Sequence, residues 1–332
     1  MKAYIKGIAY YLPEAVLTNE ELVEQFPEWT VDKISKKVGI SERHITTEDE
    51  TAGDLAVKAA EKLFSERNID RSQIDFVLLC TQSPDYHLPS TSCIIQDRLG
   101  LSTKCGAFDF NLGCSGYEYG LAVAKGLVLG GIANNILLLT AETYTKYIHP
   151  LDKGNRTIFG DGATATLVSN EGFAEICEFG LGTDGSGAEQ LIVKTGCARQ
   201  FKPANDYQVN EECGVHSSDN LYMNGKAIFD FTADVVPRLI EETLQKNGIT
   251  MDDVDLFVFH QANKYMINYI RKLMDIEKDK FFIFMENVGN TVSSTIPIAL
   301  CEAEKEGRLK GKVVLAGFGV GLSYGAVVLN IR

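Results

Sequence analysis

The stretch Ala107-Phe108-Asp109-Phe110-Asn111-Leu112-Gly113-Cys114-Ser115-Gly116 decides how this chain is read. A short apolar run reads as a buried strand, the glycines at 113 and 116 read as a sharp turn, and a helix-like run follows to about Gly130-Gly131. A strand, turn and helix in that order put Cys114 at a helix start, where free backbone N–H groups and the positive dipole end are expected to favour thiolate over thiol. Glycines beside it let an acyl group approach, as in the nucleophile elbow of serine hydrolases. A free cysteine is also commonly just a small buried hydrophobe, so the segment alone leaves both readings open.

Outward from this segment, strand-like and helix-like runs alternate along the 332 residues, the pattern of an α/β fold. Phe76–Leu79, Ala107–Phe110, Asn135–Thr140, Ala163–Val168, Leu256–Phe259, Lys312–Ala316 and Ala326–Leu329 read as strands. Their unbroken apolar character suits a sheet covered on both faces. The chain also echoes itself: Ile74–Leu79 resembles Val254–Phe259, and Leu137–Leu139 resembles Val313–Leu315. Two copies of one unit, 1–172 and 173–332, would set equivalent loops side by side at strand carboxyl ends, bringing the Cys114 turn to the turn at Asn290–Ser294. Leu17–Arg43 reads as a partly exposed helical segment and Cys197–Asn220 as an irregular excursion.

Composition narrows the function. With 45% hydrophobic and 23% charged residues the chain is an ordinary globular protein, and its apolar runs are too short to span a membrane. The start, Met1–Lys6, lacks a secretory apolar core, so a cytoplasmic location is expected. A net charge of −13 argues against nucleic-acid binding. Eight cysteines without a CxxC pair and five scattered histidines support neither a metal site nor a disulfide framework.

Three further segments carry chemistry. His260-Gln261-Ala262-Asn263 follows the strand at Leu256–Phe259 and sets an imidazole at its carboxyl end, although a histidine there is often structural. Asn287-Val288-Gly289-Asn290-Thr291 offers another glycine-bracketed turn, in which Asn290 reads equally as a cap. Gly317-Phe318-Gly319-Val320-Gly321 offers backbone N–H groups to an oxyanion, or is simply a hairpin between core strands.

Taken in order, the Cys114-Ser115-Gly116 elbow, Phe159-Gly160-Asp161-Gly162-Ala163, His260–Asn263, Gly289-Asn290-Thr291 and Gly317–Gly321 resemble the beta-ketoacyl-acyl carrier protein synthase III family of the thiolase superfamily, nearly end to end. The resemblance implies a homodimer of five-layered αβαβα subunits and a catalytic triad of Cys114, His260 and Asn290. It implies acyl transfer from acyl-CoA to Cys114, with Cys114 and Val320 supplying backbone oxyanion donors. Condensation with malonyl-acyl carrier protein follows, its enolate held by His260 and Asn290, and no metal or organic cofactor is implied.

Departures from the family pattern bear on the contacts. Lys33 and Lys37 stand where the family holds the CoA adenine with an indole and a guanidinium, with Trp29 nearby, and Lys153 or Arg156 is expected to meet CoA phosphate. Tyr265 replaces an arginine that receives the carrier protein, leaving Lys264 for that role. Leu88 matches the residue that reaches across the family dimer to close the acyl pocket. Transfer of the acyl group to another acceptor, in a secondary-metabolite or surface-glycan pathway, is the alternative, and acyl-CoA binding without catalysis is a third reading.

Overall fold

The computed structural model describes residues 2–210 and 214–332, which leaves Cys213, one of the eight cysteines, outside the described residues. Nine strands form one large sheet: β1 (Tyr4–Tyr11), β2 (Phe76–Cys80), β3 (Gly106–Phe110), β4 (Asn135–Glu142), β5 (Gly162–Ser169), β6 (Ala174–Thr183), β7 (Leu256–Phe259), β8 (Gly311–Gly319) and β9 (Ser323–Ile331). The helices are α1 (Asn19–Gln25), α2 (Val31–Val38), α3 (Ala52–Glu66), α4 (Thr91–Arg98), α5 (Gly116–Leu129), α6 (Lys153–Arg156), α7 (Gly225–Lys246), α8 (Lys264–Leu273) and α9 (Thr295–Lys305).

The strand order β7-β8-β9-β6-β1-β5-β4-β2-β3 reads as two copies of one motif meeting at a seam. In one half β1, β5, β4 and β2 lie side by side; in the other β6, β9, β8 and β7 take the same order. The seam is thin, with Tyr4 opposite Glu175 and Ile5 opposite Ala174. Where β3 flanks β2 in parallel, the second half keeps only a bridge between Phe257 and Phe281. The echoes in sequence fall on β2 and β7, and on β4 and β8.

Alternation of side chains along the strands builds the layers. Ile136 and Leu138 of β4 face a central cluster shared with Val313 and Leu315 of β8, while Leu137 and Leu139 face α3, and Val314 and Ala316 face the layer of α7 and α8. The central cluster is filled by α5, through Tyr117, Leu121 and Ala124, and by α9, through Ile296, Ala299 and Leu300. Both half-sheets pack on this helix pair. The result is five layers: α3 with α4, a half-sheet, α5 with α9, a half-sheet, and α7 with α8. The 172/173 division falls between the end of β5 and the start of β6, and a single apolar core runs across it.

Three local expectations are refined. Leu17–Arg43 contains two helices, α1 and α2, separated by the loop that carries Trp29. The Gly317–Gly321 cluster is a hairpin whose first three residues belong to β8, so the hairpin reading and the donor reading describe the same turn. Within 197–220 the described residues include a small antiparallel pair, Gln208–Asn210 with Gly214–His216. Among the described residues no helix is long and apolar enough to cross a membrane.

Candidate active site

Cys114 sits one residue before Ser115, the N-cap of α5, in a turn closed by the Gly116 N–H donating to the Gly113 carbonyl at 2.8 Å. Only glycine fits at 116, because a Cβ there would lie 2.3 Å from the Cys80 sulfur. The β8–β9 hairpin presses on the thiol from the other side. A Cβ on Gly319 would stand 2.9 Å from Cys114 Sγ, and the Val320 N–H and the cysteine's own N–H point at the sulfur.

The expectation that this placement favours thiolate is corrected. Burial, helped by the Glu142 carboxyl, pushes the Cys114 thiol up to about 12 against the two backbone donors. Glu142 itself is pushed up to about 8 by burial, although it accepts from the Gln82 N–H and the Ser83 hydroxyl. Glu118, also buried, is pushed well up by desolvation, and neither of its oxygens has a hydrogen-bond partner. Apolar surroundings outweigh the helix end, so the resting nucleophile is a thiol.

His260 leaves β7 with its own N–H bonded to the Ala316 carbonyl at 2.8 Å. The rest of its motif is scaffolding. The Gln261 amide donates to the Phe259 carbonyl at 2.6 Å and accepts from the Phe284 N–H at 2.8 Å, and Asn263 caps α8 by accepting from the Met266 N–H at 2.9 Å. Burial lowers the imidazole to about 3, so it is neutral at working pH. Its Nδ1 meets the Thr295 hydroxyl at 2.7 Å.

Asn290 is held through its backbone, which exchanges hydrogen bonds with Ile158 and Gly160. Its side-chain oxygen accepts from the Val292 N–H at 2.9 Å, which leaves the amide N–H groups as donors. Val292 pays for that contact with a φ of +56°, unusual for a β-branched residue.

One cavity is lined by Cys114, His260, Asn290, Phe318 and Phe159, with Ile228 and Met266 among its apolar walls. The three residues expected to form a triad thus face one space, Cys114 from the first half and His260 and Asn290 from two loops of the second. Asp161 supports it from behind, accepting from the backbone and hydroxyls of Thr46 and Thr145.

The expected CoA contacts lie together on the surface of α2 and the 150–156 turn. Lys33 Nζ stands 5.3 Å from the Trp29 ring centroid, Lys37 is exposed, Lys153 pairs with Glu28, and Arg156 donates to Gln25 and to the Pro150 carbonyl at 2.8 Å. Lys264 lies against Gly39 at the end of α2, beside Asn263 on the cavity rim. Leu88 is 82% exposed and does not line the cavity of its own chain.

Sequence reading had not singled out Thr295, Gln82, Tyr144, Glu118 or Glu142. For the two glutamates a signal existed: Glu118 is the one acid in the run Gly116–Leu129, and Glu142 closes the apolar run from Ile136. The others have no motif around them and become visible only when the loops converge.

Known proteins resemble this chain throughout its length. Residues 108–185 match the family model for 3-oxoacyl-[acyl-carrier-protein (ACP)] synthase III, and residues 244–331 match the model of its C-terminal part. A beta-ketoacyl-[acyl-carrier-protein] synthase III of Clostridium perfringens is 37% identical, with 98% of each chain covered. A solved 3-oxoacyl-(acyl-carrier-protein) synthase III is 48% identical with a TM-score of 0.97 over all of both chains. A 3-oxoacyl-(acyl-carrier protein) synthase from Burkholderia xenovorans LB400 is 32% identical with a TM-score of 0.91, covering 100% of this chain and 94% of that one.

Proposed function

The chain belongs to the 3-oxoacyl-[acyl-carrier-protein] synthase III family, and from that premise we propose how its residues divide the work. It is an acyltransferase that carries out the initiating condensation of fatty acid synthesis. The observation that supports the division is the single cavity shared by Cys114, His260 and Asn290, with two backbone N–H groups aimed at the sulfur.

In the first half-reaction the Cys114 sulfur attacks the thioester carbonyl of an acyl-CoA, giving up its proton as it does so. The tetrahedral oxyanion is held by the backbone N–H groups of Cys114 and Val320, the C–S bond to CoA breaks, and the CoA thiol leaves with a proton. An acyl group remains on Cys114. In the second, the malonyl thioester of the carrier protein loses CO2, and its C–C bonding pair becomes an enolate. Its oxygen lies between the His260 Nε2–H and the Asn290 amide, both neutral donors. The enolate carbon attacks the acyl carbonyl, the thiolate of Cys114 departs, and a beta-ketoacyl thioester is released. The two thioesters supply their own activation, so no resident metal or organic cofactor enters these steps.

The cluster of Trp29, Lys33, Lys37, Lys153 and Arg156 suits a nucleotide with phosphates, and Lys264 on the rim suits an acidic carrier. The partner-facing part is argued from the sheet edge. β3 has β2 as its one neighbour, Phe108 on it is 38% exposed, and Asp109 anchors the start of α4, just after the loop carrying exposed Tyr86 and Leu88. An unpaired edge beside exposed apolar side chains suits a second copy of the chain.

Supplying acyl-CoA and malonyl-acyl carrier protein together tests the reading. CO2 and a beta-ketoacyl carrier are expected, and acyl transfer without either would overturn it in favour of the alternative acceptor, which the comparisons do not favour.

A further inference from the structure

Gln82 and Tyr144 form a polar pair by the Cys114 elbow, outside the lining of the cavity that Cys114 shares with His260 and Asn290. Gln82, two residues beyond β2, brings its carboxamide up to the elbow: a Cβ on Gly113 would lie 2.7 Å from Gln82 Oε1 and 2.4 Å from Val320 Cγ1. That oxygen accepts from the Tyr144 hydroxyl at 3.2 Å. The tyrosine ring is buried, 5.1 Å from the ring of Phe159, which lines the Cys114 cavity. Tyr144 and Cys114 belong to the same apolar cluster.

Neighbouring groups hold Gln82 in place. Gln82 Nε2 donates to Asn111 Oδ1 at 3.0 Å, the Gln82 N–H donates to Glu142 at 3.0 Å, and the Tyr147 hydroxyl donates to the Gln82 carbonyl at 3.0 Å. Hydrogen-bond capacity is left over. Tyr144 Oη has spent its proton and keeps a lone pair, while Gln82 Nε2 keeps one N–H. An alkyl chain uses neither, whereas a hydroxyl uses both.

We infer that the acyl group carried by Cys114 is a short hydroxyacyl chain whose hydroxyl lies between Tyr144 Oη and Gln82 Nε2. This rests on the reading of Cys114 as the acyl-bearing thiol. Because Tyr144 and Gln82 satisfy one another when no hydroxyl is present, a plain alkyl chain strands no polar group. The discrimination is that of one net hydrogen bond, about tenfold, and not the far larger rejection shown by a site with orphaned donors.

The test is the rate of acyl-Cys114 formation, followed by intact-protein mass, for 3-hydroxybutyryl-CoA and butyryl-CoA. Wild type, Tyr144→Phe and Gln82→Met are compared after a thermal melt of each. Wild type is expected to favour the hydroxylated primer about tenfold, and each variant to bring the ratio to about one. Gln82 is only half-buried, so Gln82→Met carries the comparison if Tyr144→Phe does not fold. Labelling of Cys114 by both primers with no preference in wild type, or a preference unchanged in the folded variants, overturns this inference and leaves the acyltransferase reading standing. No adduct from either primer overturns both.

Discussion

The Nδ1 atom of His260 lies 2.7 Å from the hydroxyl of Thr295, which is itself 3.0 Å from the Val292 carbonyl. The threonine has one proton to give. Given to the ring, it leaves Nε2–H facing the cavity as a donor; given to the carbonyl, it turns Nε2 into an acceptor that repels an enolate. The proposed decarboxylation needs the first arrangement. Thr295→Val is therefore expected to slow malonyl decarboxylation about tenfold and leave acylation of Cys114 measurable, with Thr295→Ser restoring the rate. Equal loss of both half-reactions would assign Thr295 a purely structural part.

Asn290 makes a second test of the same site. Its oxygen is committed to the Val292 N–H, so only its N–H groups are free to meet an oxyanion. Asn290→Asp keeps the shape and replaces the donor with a carboxylate. Decarboxylation should fall about a hundredfold or more, the cost of removing one oxyanion donor, while acyl-Cys114 still forms.

The pH dependence separates the two views of the thiol. With Cys114 pushed up to about 12 by burial, its alkylation by iodoacetamide in the free enzyme should still be accelerating at about pH 10. A plateau near neutrality would restore the expectation drawn from the helix start. His260, lowered to about 3 by burial from 6.5, favours folding above its unfolded value, and that contribution is lost as pH falls through 3. Thermal stability of wild type should drop over this window more steeply than that of His260→Asn.

Asp161 accepts four hydrogen bonds from Thr46 and Thr145 and so ties two loops behind the cavity. Asp161→Ala strands buried donors and is expected to lower stability by about 3 kcal/mol, measured by urea denaturation. A loss under about 0.5 kcal/mol would mean that water replaces the carboxylate.

Much of this was legible in the sequence. Six of the seven strands read as apolar runs because helices cover both of their faces; β3, at the sheet edge, keeps Phe108 partly exposed. β1 and β6, the seam strands, escaped because Lys6 and Gly7 break the first pattern at a register shift, and Glu175 and Glu178 break the second at a half-buried and an exposed position. Cys114 and His260 were readable because each follows an apolar strand, and Asn290 because it sits beside Gly289 in a short motif. The charge state of Cys114 was misread because burial is a property of the assembled layers, to which Glu142, distant in sequence, adds its carboxyl. Gln82, Tyr144 and Thr295 carry no local signature at all.

The account stands on Cys114 as the acyl carrier, and one mass measurement tests that directly. After exposure to acyl-CoA, the intact chain should gain the mass of one acyl group, mapped by peptide analysis to Cys114, absent from Cys114→Ala and removed by malonyl-acyl carrier protein. An adduct that persists in Cys114→Ala, or no adduct with any acyl-CoA while product still forms, would contradict it.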